Sequence, residues 1–182
     1  NDLYRIGAGL HGAVDHTNYG SIDLSDLVLV SKADFTSLTH PGGVRQQLEA
    51  TLEVMGLPSE SIHPAGQPPI DVFMLHFPFG CTADYTFDKT VRIDAAWREM
   101  ESLVDAGLVR TLGVCNFSTQ QLDMLLSSGC NKIRPVAHEL ELHPFLRRTA
   151  HVEYAQRAGL ALIAACPLAN GQILDSEVLK HP

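Results

Sequence analysis

The sequence predicts an α/β domain built on a parallel sheet, and three observations carry that reading. Short, nearly continuous apolar runs start at residues 26, 70, 109, 135 and 160, the pattern of strands whose two faces are both covered. Stretches with helical apolar spacing separate these runs, and strands joined through such helices run parallel. The polar residues of the runs gather at their carboxyl ends, where sites on sheets of this kind are assembled.

Taken in order, the first strand is expected over 26–32, from Asp26 through Leu27-Val28-Leu29-Val30 to Lys32. After Pro41-Gly42-Gly43, a helix is predicted from Val44, Leu48, Leu52 and Met55, with Gly56 as its stop. Residues 57–69 are rich in Pro, Ser and Gly and read as a loop at the amino end of the sheet, away from any site. The second strand, 70–76, ends at His76 before Phe77-Pro78, and 79–88 reads as an excursion over the strand ends.

A strongly amphipathic helix follows. Ile93, Ala96, Trp97, Met100, Leu103 and Val104 share its apolar face, whereas Arg98, Glu99, Glu101 and Asp105 lie mostly off it. Gly107 ends it and launches the third strand, 109–115. Ser118 and Gln121 then have the spacing of a capping box for a helix through Leu122, Leu125 and Leu126, which stops near Gly129. The fourth strand is expected over 135–142, closed by His143-Pro144. Thr149 is expected to cap a helix through Val152, Ala155 and Ala158, ended by Gly159 before the fifth strand, 160–166. Residues 173–180 read as one last helix. The repeat Ala106-Gly107-Leu108 and Ala158-Gly159-Leu160 suggests a common device in which a glycine turns the chain back and the next leucine packs on the sheet.

Composition narrows the class. The chain has 182 residues, 45% hydrophobic and 19% charged, which describes neither a disordered chain nor a membrane protein. A net charge of −8 argues against nucleic acid and anionic membranes as partners. No apolar run approaches the roughly 20 residues of a membrane span, and the polar start Asn1 to Arg5 does not read as a signal peptide. Cysteines at 81, 115, 130 and 166 form no CxxC pair, so reduced cytoplasmic thiols and no metal site are expected.

Candidate chemistry lies at Lys32, His76, Cys115, Asn116, Glu139 with Glu141 and His143, and Cys166, all near strand carboxyl ends. A rival signal is Gly7-Ala8-Gly9-Leu10-His11-Gly12, which spells a dinucleotide fingerprint with Asp34 some distance beyond. The stretch after Gly12 is too short and turn-rich for the helix whose N-terminus must hold a pyrophosphate.

Four ordered motifs carry a family resemblance. Residues 70–78, Ile-Asp-Val-Phe-Met-Leu-His-Phe-Pro, resemble the strand ending in His-Trp-Pro of aldo-keto reductases. The helix from Trp97 into Gly113-Val114-Cys115-Asn116-Phe117 is similar to their helix leading to Gly-Val-Ser-Asn-Phe. Glu139-Leu-Glu-Leu-His-Pro-Phe resembles Gln-Val-Glu-x-His-Pro-Tyr, and Cys166-Pro167-Leu168 resembles Ser-Pro-Leu.

The resemblance implies a (β/α)8 TIM barrel, with about five of its strands present as one partial domain over 1–182. It implies reduction of a small-molecule carbonyl substrate, an aldehyde or ketone, with NADPH, in a cytoplasmic parent protein that is a monomer or weak dimer. Lys32 matches the lysine that acidifies a catalytic tyrosine, and His76 the histidine that orients the carbonyl. Asn116 matches an amide on the nicotinamide carboxamide, beside Cys115 at a serine position and Glu139 at a glutamine position. Cys166, Leu168 and Asn170 fall where the next strand's loop meets the cofactor. Glu139, Cys115, Cys166 and Ala165, the last at a tyrosine position, depart from the family pattern. The catalytic tyrosine and aspartate are expected just before Asn1, and the eighth strand with its adenosine-phosphate cluster after residue 182. This segment alone is therefore expected to be inactive and poorly soluble, with two open sheet edges. The alternative reading is a barrel that binds or regulates without chemistry.

Overall fold

The computed structural model describes residues 27–57, 68–127 and 131–174. The glycine motif at 7–12, Cys130, the stop at Gly129, most of the 57–69 loop and most of the expected last helix lie outside the described residues.

Five parallel strands form one sheet in the order β1-β2-β5-β6-β7: β1 (Val30–Ala33), β2 (Ile70–Leu75), β5 (Val109–Cys115), β6 (Ala137–Glu141) and β7 (Ala161–Ala165). Four helices connect them: α1 (Gly43–Val54), α2 (Ile93–Asp105), α3 (Thr119–Ser127) and α4 (Thr149–Ala158). The sheet is open among the described residues, an arc of an incomplete (β/α)8 barrel. The expected strands are all present: β5 keeps its expected bounds, 109–115, and the other four are shorter. The first begins at Val30 and ends at Ala33 rather than spanning 26–32, and the last two lose residues at both ends. A parallel partner sets where bonding starts, so an apolar run extends past the paired segment.

Register divides the sheet into two faces. Lys32 pairs with Met74, Met74 with Gly113, Gly113 with Ala137 and Ala137 with Ala161. Two residues further on, Cys115 pairs with Glu139 and Glu139 with Ile163. Because side chains alternate along a strand, these residues share one face with His76 just beyond β2. The opposite face carries Phe73, Leu75, Leu112, Val114 and Leu140. It packs on Leu48 and Leu52 of α1, Trp97, Met100 and Leu103 of α2, and Leu122 of α3, nearly all fully buried. Each such side chain contributes about 1.5–3 kcal/mol of burial.

Helix ends bear out the glycine device. The Gly107 amide donates to Val104 O at 2.9 Å and Leu108 to Leu103 O at 3.0 Å, with Gly107 at φ +71°. Gly159, at φ +70°, repeats it: Leu160 donates to Ala155 O at 2.9 Å. Each is a Schellman cap that sends the following leucine onto the sheet. The capping box is also present: Gln121 N donates to Ser118 Oγ at 3.2 Å and Ser118 N to Gln121 Oε1 at 2.8 Å.

Two expectations are corrected and one is filled in. Thr149 does not cap α4: it is the first residue of that helix, and the capping position is held by Arg148 in the left-handed region with no side-chain bond. Glu101, expected mostly off the apolar face of its helix, does not lie open to solvent. It is buried, and its Oε1 accepts from Ile133 N at 2.8 Å, while Trp97 Nε1 one turn earlier donates to Ile133 O at 3.0 Å. The buried carboxylate satisfies an otherwise orphaned amide. Finally, the excursion at 79–88 contains a short antiparallel hairpin, β3 (Gly80–Cys81) with β4 (Phe87–Asp88). The Cys81 amide, donating to Phe35 O at 3.2 Å, ties it to the segment after β1.

Candidate active site

The face opposite the helices carries the site. Lys32 Nζ forms an ion pair with Glu139 Oε1, although β2 and β5 lie between β1 and β6. Three strand steps amount to about 14 Å in a flat sheet. The contact is therefore made across an arc curled concave toward these side chains, as in part of a barrel. Met74 and Cys115 form the buried floor of this hollow. Gly113 makes room there: a Cβ on it would lie 2.8 Å from Met74 Cε and 3.1 Å from Ala137 O.

Each polar residue is held by its backbone. Gln47 of α1 accepts from Asp34 N at 2.7 Å and donates to Lys32 O at 3.4 Å, which fixes the chain around Lys32. The His76 amide donates to Ala33 O at 3.0 Å. Its ring stacks on Phe77, centroids 4.4 Å apart. Burial, then the Lys32 ammonium, hold its imidazole below the ordinary range, against the opposing pull of Asp34 and Glu139. His76 is therefore a neutral imidazole near pH 7, able to donate one hydrogen bond without carrying charge.

Asn116 sits just past β5 at φ +61°, a conformation that asparagine tolerates better than most residues. Its amide N–H donates to Glu139 O at 2.9 Å and its side-chain Nδ2 to His76 O at 3.0 Å. It thus ties three strand ends together while remaining exposed, with Oδ1 accepting no hydrogen bond among the described residues. Cys115 differs. Its thiol is buried against Met74 Sδ at 3.9 Å, and burial, reinforced by the Glu139 carboxylate, pushes it up to about 12. It remains a protonated thiol and part of the floor.

Beyond β7, Cys166, Ala169 and Asn170 have positive φ of 48°, 50° and 53°. Ala169 is buried, while Cys166, Leu168 and Asn170 are exposed. Such left-handed residues cost free energy and collect where a loop must present particular groups. Glu141 ends β6 and His143 lies just beyond it, His143 Nε2 being 3.3 Å from Glu141 Oε1.

The structure thus brings Lys32, His76, Asn116 and Glu139 together on one concave face, with Cys115 beneath them. Cys166, Leu168 and Asn170 stand apart on the turn after β7. The Lys32–Glu139 pair was not foreseen. The signal for it was parity: both residues stand on the same face near strand carboxyl ends, with opposite charge. As for a nicotinamide carboxamide, the donor set fits one: Asn116 offers an exposed amide with an acceptor oxygen uncommitted among the described residues.

The model of the aldo/keto reductase family matches residues 24–181. The chain is 33% identical to aldose reductase B of Dictyostelium discoideum, covering 88% of this chain and 53% of that protein. It is 28% identical to an NAD(P)H-dependent D-xylose reductase of Kluyveromyces lactis, covering 97% of this chain and 55% of that one. Among solved structures, an aldo-keto reductase of Bombyx mori in complex with NADP superposes with a TM-score of 0.76 at 25% identity, covering 91% of this chain and 48% of that chain. The chain spans about half the length of the curated relatives it matches.

Proposed function

Because the chain belongs to the aldo/keto reductase family, we propose that its concave face serves the NADPH-dependent reduction of small aldehydes or ketones in the natural protein. The observation that carries this reading is the convergence of Lys32, His76 and Asn116 at three neighbouring strand ends.

A bound nicotinamide cofactor supplies the hydride. In this reading Asn116 Oδ1 accepts from its carboxamide, and the turn carrying Cys166, Leu168 and Asn170 contacts the cofactor further out. His76, as a neutral imidazole, donates a hydrogen bond to the carbonyl oxygen and orients it. Lys32 places an ammonium where negative charge develops on that oxygen, which stabilises it and acidifies any neighbouring proton donor. Among the described residues, Tyr154 is committed to Asp123, to which its hydroxyl donates at 2.6 Å. Tyr85 stacks on Phe35 at 5.7 Å. Neither is assigned the proton transfer, so this segment alone is proposed to position substrate and cofactor without turning over. The free thiols at Cys81, Cys115 and Cys166 suit a cytoplasmic setting. No helix among the described residues is long and apolar enough to cross a membrane.

The test is loss of NADPH absorbance with a simple aldehyde in the natural protein. Lys32→Met should lower kcat by about 10²–10⁴-fold with NADPH affinity changed only a few-fold. Full turnover in that variant, or no NADPH-linked turnover at all, would overturn the proposal. Engagement of Lys32 by Glu139 favours a second reading, a barrel that binds the cofactor without chemistry. NADPH binding with no turnover on any aldehyde or ketone would select it.

A further inference from the structure

We infer that Glu139 is a positioning residue of this site: its carboxylate holds the Lys32 ammonium across the concave face, beside His76. The inference rests on the reading of that face as a carbonyl-reducing site, and it moves Glu139 away from direct contact with the cofactor.

The geometry favours Glu139 as the fixed member of the pair. Its carbonyl accepts the Asn116 amide at 2.9 Å, and its backbone is paired to Cys115 on one side and Ile163 on the other. Its side chain is 14% exposed against 31% for Lys32. A short side chain on an interior strand has few alternatives, whereas a lysine stem is long and flexible. Partial burial also means that the pair is screened less than a surface ion pair. A carboxylate offers acceptors only, and this one already receives the ammonium. Asn116 is then the residue left to receive the carboxamide.

His76 feels the consequence. The charged groups acting on it are Lys32 and Asp34 from the first strand and its extension, and Glu139 from β6. Asp34 is engaged in its own turn, accepting from Thr36 N at 3.0 Å. Glu139 is thus the carboxylate shared between His76 and Lys32. Neutralising it leaves the ammonium uncompensated beside the imidazole. Protonated His76 then becomes less favourable, and Lys32 loses the partner that aims it.

The test is an NMR pH titration of the natural protein, following the His76 ring, with the Trp97 indole as a monitor of the fold. In Glu139→Gln, His76 should titrate lower than in the native protein, and Glu139→Asp should recover toward the native value. In the native protein, a nuclear Overhauser contact between the Lys32 ε-methylene and Glu139 γ-methylene protons should report the pairing directly. An unchanged His76 titration in folded Glu139→Gln overturns the inference. If that variant does not fold, absence of the Lys32–Glu139 Overhauser contact in the native protein overturns it. Neither readout requires turnover. Failure of the aldehyde assay in the natural protein would therefore remove the proposed reaction and leave the pairing result standing, and the reverse outcome is equally separable.

Discussion

The Asn116 side chain donates to the backbone carbonyl of His76 at 3.0 Å while its own backbone sits at φ +61°. The same residue therefore performs a turn that most side chains resist and braces the strand end that carries the imidazole. Asn116→Ala should lose both and destabilise the chain by about 1–2 kcal/mol. Asn116→Gly keeps the turn and should lose less. Urea denaturation of the two variants checks the order, and equal or reversed losses would contradict it.

Buried His138 makes the fold sensitive to acid. It is fully buried on β6, neither ring nitrogen has a hydrogen-bond partner among the described residues, and the His151 ring lies 6.0 Å away. Burial, then His151, lowers its pKa from 6.5 to about 4. The folded state thus disfavours the proton that the unfolded chain accepts. The associated stability is whole above about pH 6.5 and declines as pH falls toward 4, by a total on the order of 3 kcal/mol. Urea midpoints measured from pH 8 to pH 5 should fall in the native chain and fall less in His138→Leu. Parallel curves would show that another group is responsible.

Trp97 and Glu101 together hold the backbone of Ile133, which leads into β6. Glu101→Ala leaves the Ile133 amide unpaired and should cost about 1–3 kcal/mol. Glu101→Gln retains an acceptor and should cost less. The comparison is made by thermal or urea unfolding, and equal costs would assign the effect to packing rather than to the hydrogen bond.

Thiol reactivity separates the cysteines. Cys166 is exposed, whereas Cys81 and Cys115 are buried, and the Cys115 thiol is pushed up to about 12. Only the thiolate reacts appreciably with an alkylating agent. Iodoacetamide at neutral pH should modify Cys166 well before Cys81 or Cys115, as read by peptide mass spectrometry. Early labelling of Cys115 would contradict its place in the floor.

The strands and helices were legible because their signals are local: apolar runs at 70–75 and 109–115, the helical spacing from Ile93 to Val104, the capping box at Ser118 and Gln121, and glycine stops at 107 and 159. What escaped depends on neighbours distant in sequence. Strand ends shifted because the partner strand limits the bonded segment. Glu101 was placed off the apolar face because nothing near it in sequence announces the Ile133 amide it serves. The β3–β4 hairpin has strands of two residues each, too short for a period to show. The positions of Lys32, His76 and Asn116 could be read from the strand ends, but the Lys32–Glu139 pair depends on curvature of the whole sheet. Cys115 was placed beside the cofactor by resemblance alone, and alternation along β5 puts its thiol in the floor of that same concave face.

The most direct test of the central claim, that this concave face receives a nicotinamide cofactor for carbonyl reduction, is an NADPH titration of the chain followed by amide NMR. The account predicts saturable shifts at the Asn116 side-chain amide and at the Leu168 and Asn170 backbone amides, with the Asn116 shift much reduced in Asn116→Ser when read at its backbone amide. Binding that leaves all of these signals unmoved, or no binding at millimolar NADPH both in the chain and in the natural protein, would contradict it.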